Sequence, residues 1–219
     1  MFTAELDGQP FTTTVGKILC IGRNYAAHAA ELNNPLPDQA VLFIKAADAA
    51  CDLRQPLQIP KDQGSVHHEL EIALLMGKSL KHATPEEALD AIAGVGLGLD
   101  LTLRDVQAGL KQKGLPWERA KSFDGACQLS PFVSAANVSD WHNLHFSLTR
   151  NGQLQQQGHS ANMLYPVAQL LSEMSSVFTI NPGDVIMTGT PEGVGPLLPG
   201  DQLCLTLEDW LSVTSEVSA

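Results

Sequence analysis

Short apolar runs recur along this chain and predict buried strands. They fall at 17–21, 41–44, 70–76, 96–99 and 185–187. Runs of this length, bounded by polar or turn-forming residues, are typical of strands that are covered on both faces. We therefore expect a central sheet that is largely hidden from solvent.

Strict alternation predicts a different kind of strand near the C-terminus. Residues 203–207 alternate leucine with cysteine or threonine, as in a strand with one face against the core. Upstream, the strand-like segment 146–149 leads into the turn Asn151-Gly152 and a returning segment. This order predicts a β-hairpin.

Helical signals are fewer and cover short segments. Thr84 begins a stretch with Pro at the first helical position and an acid at the third, which predicts a capped helix to about residue 93. A similar capping pattern opens a helix at 102–105. Segments 24–33 and 166–174 carry apolar residues at helical spacing, and we expect a helix in each.

Strands thus outnumber helices, and the two do not alternate regularly. This order argues against a doubly wound sheet or a barrel of repeated βα units and favours an α+β fold with mixed sheets. Residues 1–16 are predicted to form an N-terminal arm ahead of a single domain at 17–219. Segments 46–66 and 114–130 show neither period and are predicted to be loops.

Length and charge narrow the classes of protein. The 219 residues suffice for one domain with a substantial core. A formal net charge of −11 without a Lys/Arg cluster argues against a nucleic-acid partner, and no apolar stretch approaches the ~20 residues that span a membrane. Residues 1–10 do not resemble a signal peptide, and the four cysteines form no C-x-x-C pair. We expect free thiols and a cytoplasmic protein.

Three acids in the predicted strands are the most informative polar residues. Glu69 and Glu71 lie two apart in one strand, so their side chains point the same way, about 7 Å apart. Asp100 ends a second strand. Buried carboxylates are costly unless they are paired or bind a metal, and an all-oxygen set prefers Mg²⁺, Mn²⁺ or Ca²⁺ over Zn²⁺. Solvent-facing acids, or an ion pair with the segment Arg104-Asp105, are the alternatives.

Two further groups could take part in chemistry. His28 and Glu31 lie three apart, hence on one face of a helix, where a carboxylate would orient the imidazole as a general base; a solvated helix face explains the pair as well. Lys121 is either an exposed cation or a group that binds a carboxylate or an oxyanion. In the glycine-rich turn 188–195, backbone N–H groups and the Thr190 hydroxyl could cradle a carboxylate.

Taken in order, these segments resemble the fumarylacetoacetate hydrolase superfamily, and within it the short, single-domain acylpyruvase branch. The matching segments extend over nearly the whole chain from residue 17. They are Gly22-Arg23-Asn24-Tyr25 with His28 and Glu31, His68-Glu69-Leu70-Glu71, Leu99-Asp100-Leu101-Thr102, Arg104-Asp105-Val106-Gln107, Lys121-Ser122-Phe123-Asp124, Gly183-Asp184-Val185-Ile186 and the run 188–195.

The resemblance implies a fold, a metal centre and an oligomeric state. It implies a strand-rich α+β roll with mixed sheets, in which 17–219 form one catalytic domain, and commonly a homodimer. Glu69, Glu71 and Asp100 would bind Mg²⁺ or Mn²⁺. The remaining implied assignments are a water-activating dyad of His28 and Glu31 on a mobile lid, substrate and oxyanion contacts from Lys121 and Gln107, and carboxylate contacts from Arg23 and Thr190.

The implied enzyme acts on small 2-oxo or 2,4-dioxo acids through a metal-bound enolate. C–C hydrolysis of an acylpyruvate, such as acetylpyruvate or fumarylpyruvate, is the favoured reaction. Tautomerisation or decarboxylation of oxaloacetate, and isomerisation or decarboxylation of a dioxo acid from aromatic degradation, are the alternatives. A catalytically inactive binding protein would not need the intact dyad. Two departures affect the expected substrate: Ala46 follows Lys45 where Pro is expected, and Leu99 precedes Asp100 where many relatives have Asn.

Overall fold

The strands of this protein form one large mixed sheet and three smaller sheets. The structure is a computed structural model that describes residues 2–218. Within them the chain forms an eight-stranded mixed sheet, a four-stranded antiparallel sheet, a three-stranded antiparallel sheet and a two-stranded ribbon. The predicted α+β class is confirmed. No helix in this part of the chain is long and apolar enough to cross a membrane.

The elements are short: in the described part of the chain the longest strand has nine residues and the longest helix eleven. The strands are β1 Glu5–Leu6, β2 Gln9–Pro10, β3 Ile18–Gly22, β4 Val41–Lys45, β5 Ala50–Asp52, β6 Val66–His68, β7 Leu70–Met76, β8 Ile92–Asp100, β9 Thr102–Leu103, β10 Cys127–Leu129, β11 Val133–Ser134, β12 His145–Arg150, β13 Gln153–His159, β14 Val185–Met187, β15 Gly195–Pro196, β16 Gln202–Leu207 and β17 Leu211–Glu216. The α-helices are α1 Ala26–Glu31, α2 Pro85–Leu89, α3 Arg104–Gln112, α4 Glu118–Lys121 and α5 Val167–Val177. Single turns of 3₁₀ helix lie at Ala47–Ala49, Ala135–Asn137 and Ser160–Asn162.

The eight-stranded sheet occupies the middle of the fold. Its strand order is β4-β3-β14-β7-β8-β10-β5, and β11 also pairs with β8. Strand β14 runs parallel to β3 and antiparallel to β7, which makes the sheet mixed. All seven residues of β7 are buried, as are eight of the nine in β8. Burial on both faces explains why these strands appear in the sequence as continuous apolar runs.

The four-stranded sheet shows the other predicted pattern. In β16, the side chains of Leu203, Leu205 and Leu207 are buried, while the residues between them are partly exposed. Asn151 and Gly152 connect β12 to β13 with positive φ values of 53° and 75°, as a two-residue type I′ turn requires. The predicted hairpin and the alternating strand are both confirmed.

Strand β7 separates two hydrophobic cores. Its even-numbered side chains, from Leu70 to Met76, belong to the larger core. Ala73 and Leu75 belong to a smaller core on the opposite face. Because side chains alternate along a strand, Glu71 lies on the side of the smaller core. The acidic cluster therefore extends from that face of the central sheet.

Glycines allow close packing on the same side of β8. Gly94, Gly96 and Gly98 alternate along the strand and share a face with Asp100. A Cβ atom at Gly98 would lie 2.6 Å from Cε of Met187, so the methionine packs directly on the strand backbone. A larger residue at this position would have to displace the end of the Met187 side chain.

Within the predicted arm, residues 2–16 contain the ribbon of β1 and β2. It is tied to the central sheet at Phe132, whose backbone N–H donates to Glu5 O at 2.7 Å and whose carbonyl accepts from Asp7 N at 3.0 Å. Val15 N donates to Phe2 O at 2.8 Å. The predicted arm thus packs on the sheet through regular backbone hydrogen bonds.

Two predicted loops and one helix end differ from expectation. Segment 46–66 contains β5, and segment 114–130 contains α4 and β10; these elements are too short to show a period. Thr84 caps α2 with a capping box completed by Glu87, but the helix ends at Leu89 rather than near residue 93. The following residues already pair as β8 with β7, and this pairing outweighs local helix propensity.

Two further helices differ from expectation, one in its length and one in its cap. The predicted helix 24–33 is limited to α1, Ala26–Glu31. Helix α3 has Leu103 at its N-cap without a side-chain cap. Thr102 instead donates its hydroxyl to Asp100 O at 3.1 Å. The hydroxyl therefore supports the strand end that carries the acid and does not cap the helix.

Replacing Gly158 by Ala should destabilise the protein by about 1–3 kcal/mol, the usual cost of overpacking a filled core. A Cβ atom there would lie 2.2–2.7 Å from three ring carbons of Phe146, its partner across β12 and β13. Chemical denaturation should show the loss. Gly109→Ala is the matched control, because nothing lies within 4 Å of a Cβ at that position in α3. Equal stability of the two variants would contradict this packing.

Candidate active site

Three buried carboxylates meet where β7 and β8 pair. Glu69 immediately precedes β7, Glu71 lies within it, and Asp100 ends β8. The two strands run antiparallel, and Asp100 N donates to Glu69 O at 2.9 Å. One carboxylate oxygen from each acid lies within 4.8 Å of the others, and all three residues are at least 96% buried. The side chains predicted to converge therefore do so.

Three cations surround these carboxylates. Lys121 Nζ lies 2.6 Å from Glu69 Oε2 and 2.7 Å from Asp100 Oδ2. Lys45, which is fully buried, places its Nζ 2.7 Å from Asp100 Oδ1, and Arg104 Nη2 lies 2.5 Å from Glu69 Oε1. The suggested ion pair with Arg104 is thus present, as part of the cluster and not as an alternative to it.

The surroundings shift the pKa values of the two glutamates in opposite directions. Burial raises the pKa of the Glu71 carboxyl well above its usual range, and the charges of Asp100 and Glu69 raise it further. Burial also opposes ionisation of Glu69, but the Lys121 ammonium and the Arg104 guanidinium outweigh it and hold its pKa well below the usual range. Glu71 is therefore the acid whose charge is least compensated.

The donor set fits a hard divalent cation. It consists of carboxylate oxygens only, as Mg²⁺ and Mn²⁺ prefer. Glu71 receives a hydrogen bond from Gly189 N at 2.6 Å but makes no ion pair within 4.0 Å among residues 2–218. Asp100 Oδ1 lies near the Lys45 ammonium yet accepts no hydrogen bond of good geometry. A cation between these oxygens would compensate both groups.

His28 and Glu31 face this cluster from α1. His28 Nδ1 lies 3.3 Å from Glu31 Oε2, and His28 is 94% buried. Glu31 Oε1 accepts a hydrogen bond from Gly193 N at 3.0 Å. The carboxylate thus binds the imidazole on one side and the glycine-rich turn on the other. Because Nδ1 is engaged, Nε2 remains for proton transfer.

The predicted site residues converge on one narrow cavity of about 40 Å³. Eight of the nine predicted site residues line this cavity, and the ninth, Glu31, contacts His28. An apolar wall completes the cavity, formed by Phe43 and Trp117, whose ring centroids are 5.7 Å apart. The eight are Arg23, His28, Glu69, Glu71, Asp100, Gln107, Lys121 and Thr190. Their chemical roles remain predictions.

Three of the four residues that are predicted to contact the substrate make different hydrogen bonds. Gln107 accepts a hydrogen bond from Arg104 Nη1 at 2.9 Å through Oε1, which leaves its amide NH₂ to donate. Thr190 Oγ1 accepts from Gln156 Nε2 at 2.8 Å. Arg23 has a left-handed backbone, with φ of 60°, and its Nη1 reaches Pro35 O at 3.4 Å.

Gln156 is an important residue that sequence reasoning missed. Its Oε1 accepts from His68 Nδ1 and from Leu70 N, both at 2.9 Å. Its Nε2 donates to Thr190 Oγ1 at 2.8 Å and to Pro191 O at 3.0 Å. One buried amide thereby fixes the start of β7 to the glycine-rich turn. The only sequence signal is a glutamine at an inward-facing position of β13.

Asn24 performs a similar task at the base of α1. Its side chain donates to Thr188 O at 2.8 Å and accepts from Tyr165 N at 2.7 Å. A Cβ atom at Gly189 would lie 2.6 Å from Asn24 Cβ, so glycine is needed for this contact. The segment that carries His28 is thereby attached to the turn that contacts Glu71.

Comparisons with known proteins identify relatives of this chain. The chain matches the family described as fumarylacetoacetate (FAA) hydrolase C-terminal over residues 17–218. It is 52% identical over 204 residues to oxaloacetate tautomerase YcgM of Escherichia coli strain K12, covering 93% of each chain.

Solved structures show the same fold. A candidate fumarylacetoacetate isomerase/hydrolase from Oleispira antarctica has a TM-score of 0.96 and 55% identity, with coverage of 99% of this chain and 100% of that one. Fumarylpyruvate hydrolase from Pseudomonas aeruginosa, solved with Mn²⁺ and pyruvate, has a TM-score of 0.92 and 31% identity, covering 99% and 95%.

Fold and site together define a strand-rich α+β enzyme with an all-carboxylate centre. This chain belongs to the fumarylacetoacetate hydrolase family. The predicted family, its fold and its enzymatic character are therefore confirmed. The relatives named here include an oxaloacetate tautomerase and a fumarylpyruvate hydrolase, which agrees with the expected class of enzyme.

Replacing Glu71 by Gln should weaken Mg²⁺ and Mn²⁺ binding by at least ~100-fold. The amide keeps the shape but removes the charge of the least compensated ligand, a greater loss than that of the outer partners, which costs roughly 10–100-fold. Calorimetric titration with each ion measures the change. Glu118→Gln removes the same charge from an exposed position on α4 and should bind as wild type. Unchanged affinity in Glu71→Gln would exclude Glu71 as a ligand.

Proposed function

We propose that this protein is a divalent-metal-dependent enzyme that interconverts the enol and keto forms of oxaloacetate. The observation that carries the proposal is the His28–Glu31 pair, which faces the buried carboxylates across one narrow cavity. The 52% identity to an oxaloacetate tautomerase over almost the entire chain supports this choice among the possible reactions.

Glu69, Glu71 and Asp100 would hold Mg²⁺ or Mn²⁺. The substrate's carboxylate and 2-oxygen would lie towards this cluster, where the ion would supply Lewis-acid stabilisation of negative charge on the 2-oxygen. The all-oxygen donor set supports either metal, as does the Mn²⁺ in the Pseudomonas aeruginosa structure.

The reaction requires one proton to move at C3 and another at the 2-oxygen. In the keto-to-enol direction, His28 takes the C3 proton, and the C–H electron pair becomes the C2–C3 double bond. The carbonyl pair moves to the 2-oxygen, which then takes a proton from water, and His28 returns the C3 proton to solvent. Glu31 orients the imidazole and stabilises its protonated form. The reverse direction uses the same positions.

The other cavity residues orient the substrate. The amide NH₂ of Gln107 donates to a substrate oxygen, since its Oε1 is already engaged by Arg104. The Lys121 ammonium offsets negative charge beside the reacting carbons. Arg23 and the Thr190 hydroxyl contribute to holding a carboxylate. Each group lines the cavity, which places it within reach of a small ligand.

Acylpyruvate hydrolysis is the second candidate. The same His28–Glu31 pair could deprotonate a water that attacks the distal C4 carbonyl, so that the C3–C4 bond breaks and pyruvate is released. The fold similarity to a fumarylpyruvate hydrolase favours this reaction. Both reactions place negative charge on the same three-carbon unit, and the site serves either.

The Mg²⁺-loaded protein should accelerate the loss of enol-oxaloacetate absorbance far above the spontaneous rate. His28→Asn should lower this rate by at least ~100-fold, the usual contribution of general acid–base catalysis, without weakening metal binding. His142→Asn changes an exposed histidine and serves as the matched control. A coupled assay should detect little pyruvate.

Two results would change the assignment. If His28→Asn accelerated enol loss at the wild-type rate, the dyad would not be the proton-transfer group. Rapid pyruvate release from acetylpyruvate, without faster enol loss from oxaloacetate, would make the protein a C–C hydrolase and overturn the tautomerase proposal.

We also propose a cytoplasmic homodimer, as the resemblance implies. The four cysteines are free in the structure, which suits a reducing compartment. A groove of about 490 Å³ along the edge strand β4, with Trp117 and Phe178 among its lining residues, offers an apolar surface for a second copy. Light scattering coupled to size-exclusion chromatography should give twice the chain mass; a monomer would contradict this part.

A further inference from the structure

Two cations at the edge of the cavity lack charged partners. Arg23 and Lys111 both line it. Arg23 contacts Pro35 O, and Lys111 Nζ lies 2.8 Å from the neutral Asn34 Oδ1. Within residues 2–218, neither makes an ion pair within 4.0 Å. The deeper cations, by contrast, are paired with the buried carboxylates.

Helix α3 directs Lys111 into this cavity. Arg104, Gln107 and Lys111 follow one another at i, i+3 and i+7, which places them on one helix face, and all three line the cavity. The first pairs with Glu69, so this face begins at the acidic cluster. Lys111 is itself exposed, and its ammonium contacts Asn34 at the outer end of this face.

The charges at this end of the cavity repel one another. Burial lowers the pKa of the Lys111 ammonium, and the guanidinium groups of Arg23 and Arg104 lower it further. An anion located between them would relieve this repulsion. The protein as a whole carries a net charge of −11, so such a local concentration of unpaired cations marks a place where a negative group is expected.

We propose that Lys111, assisted by Arg23, binds a second carboxylate of the substrate and thereby selects dicarboxylates over monocarboxylates of the same shape. This inference rests on the proposed function, in which the first carboxylate and the 2-oxygen lie at the acidic cluster. It adds Lys111 as a residue that determines specificity at the other end of the substrate. A monocarboxylic acylpyruvate would leave both cations unpaired.

Two unreactive ligands test the inference without turnover. (S)-Malate and (S)-2-hydroxy-4-methylpentanoate share the 2-hydroxy acid group, and they differ in having a carboxylate or an isopropyl group at the other end. Neither contains a ketone that can enolise. Calorimetric titration of the Mg²⁺-loaded protein should give at least ~10-fold tighter binding of malate, the usual value of one hydrogen bond to a charged group.

Three variants separate charge from structure. Lys111→Met should bind malate about 10-fold more weakly, while its affinity for the isopropyl analogue should equal that of the wild type. Lys111→Arg should retain the preference because it retains the charge. Lys113→Met removes the same charge from an exposed residue outside the cavity and should bind both ligands as wild type does.

Equal affinity of the wild type for both ligands would overturn the proposal. The proposal would also fail if Lys111→Met weakened the binding of both ligands alike, since that loss would be structural. It would fail as well if the variant weakened the binding of neither ligand. A wild type that prefers malate through Lys111 but does not accelerate enol loss would keep this inference and reject the tautomerase function. The two failures are therefore distinguishable.

Discussion

Charge balance around three buried carboxylates is the constraint on which the rest of this structure depends. Glu69 and Asp100 are each paired with cations from other parts of the chain, among them the buried Lys45 and Lys121. Removing one partner of a buried pair typically costs about 3–5 kcal/mol. Glu71 has no such partner among residues 2–218, and its pKa is raised by burial. The cluster is thus stable as a scaffold but electrostatically incomplete, which supports its proposed role as a cation site.

The strand register determines where the acids lie. Leu70 pairs with Leu99, and Glu71 with Gly98, so the carboxylates lie on the face of the smaller core while the leucines fill the larger one. A shift of one residue would exchange the two faces and bury the leucines against the cavity. The apolar side chains of β7 and β8 therefore position the chemistry as firmly as the polar ones do.

Sequence patterns predicted those parts of the site that depend on short spacing or on ordered family motifs. The pair at i and i+2 and the dyad at i and i+3 are of this kind, and both are present in the structure. Contacts between distant segments were not predictable. Gln156 contacts Leu70 N across 86 positions, and Lys45 reaches Asp100 from another strand. Likewise, the local signals predicted the start of α2 correctly, but they could not show that the pairing of β8 with β7 ends this helix early.

The proposed site is compatible with both reactions for which relatives of this fold are named. Tautomerisation and C–C cleavage both need negative charge stabilised at the 2-oxygen and a base near C3, and the acidic cluster and His28 offer the same arrangement to each. The difference lies beyond C3, where one substrate carries a carboxylate and the other an acyl group. In this chain that end of the cavity contains Lys111 and Arg23 beside the apolar wall of Trp117. If Lys111 and Arg23 bind the second carboxylate as we propose, substrate choice is decided by charge at the edge of the cavity.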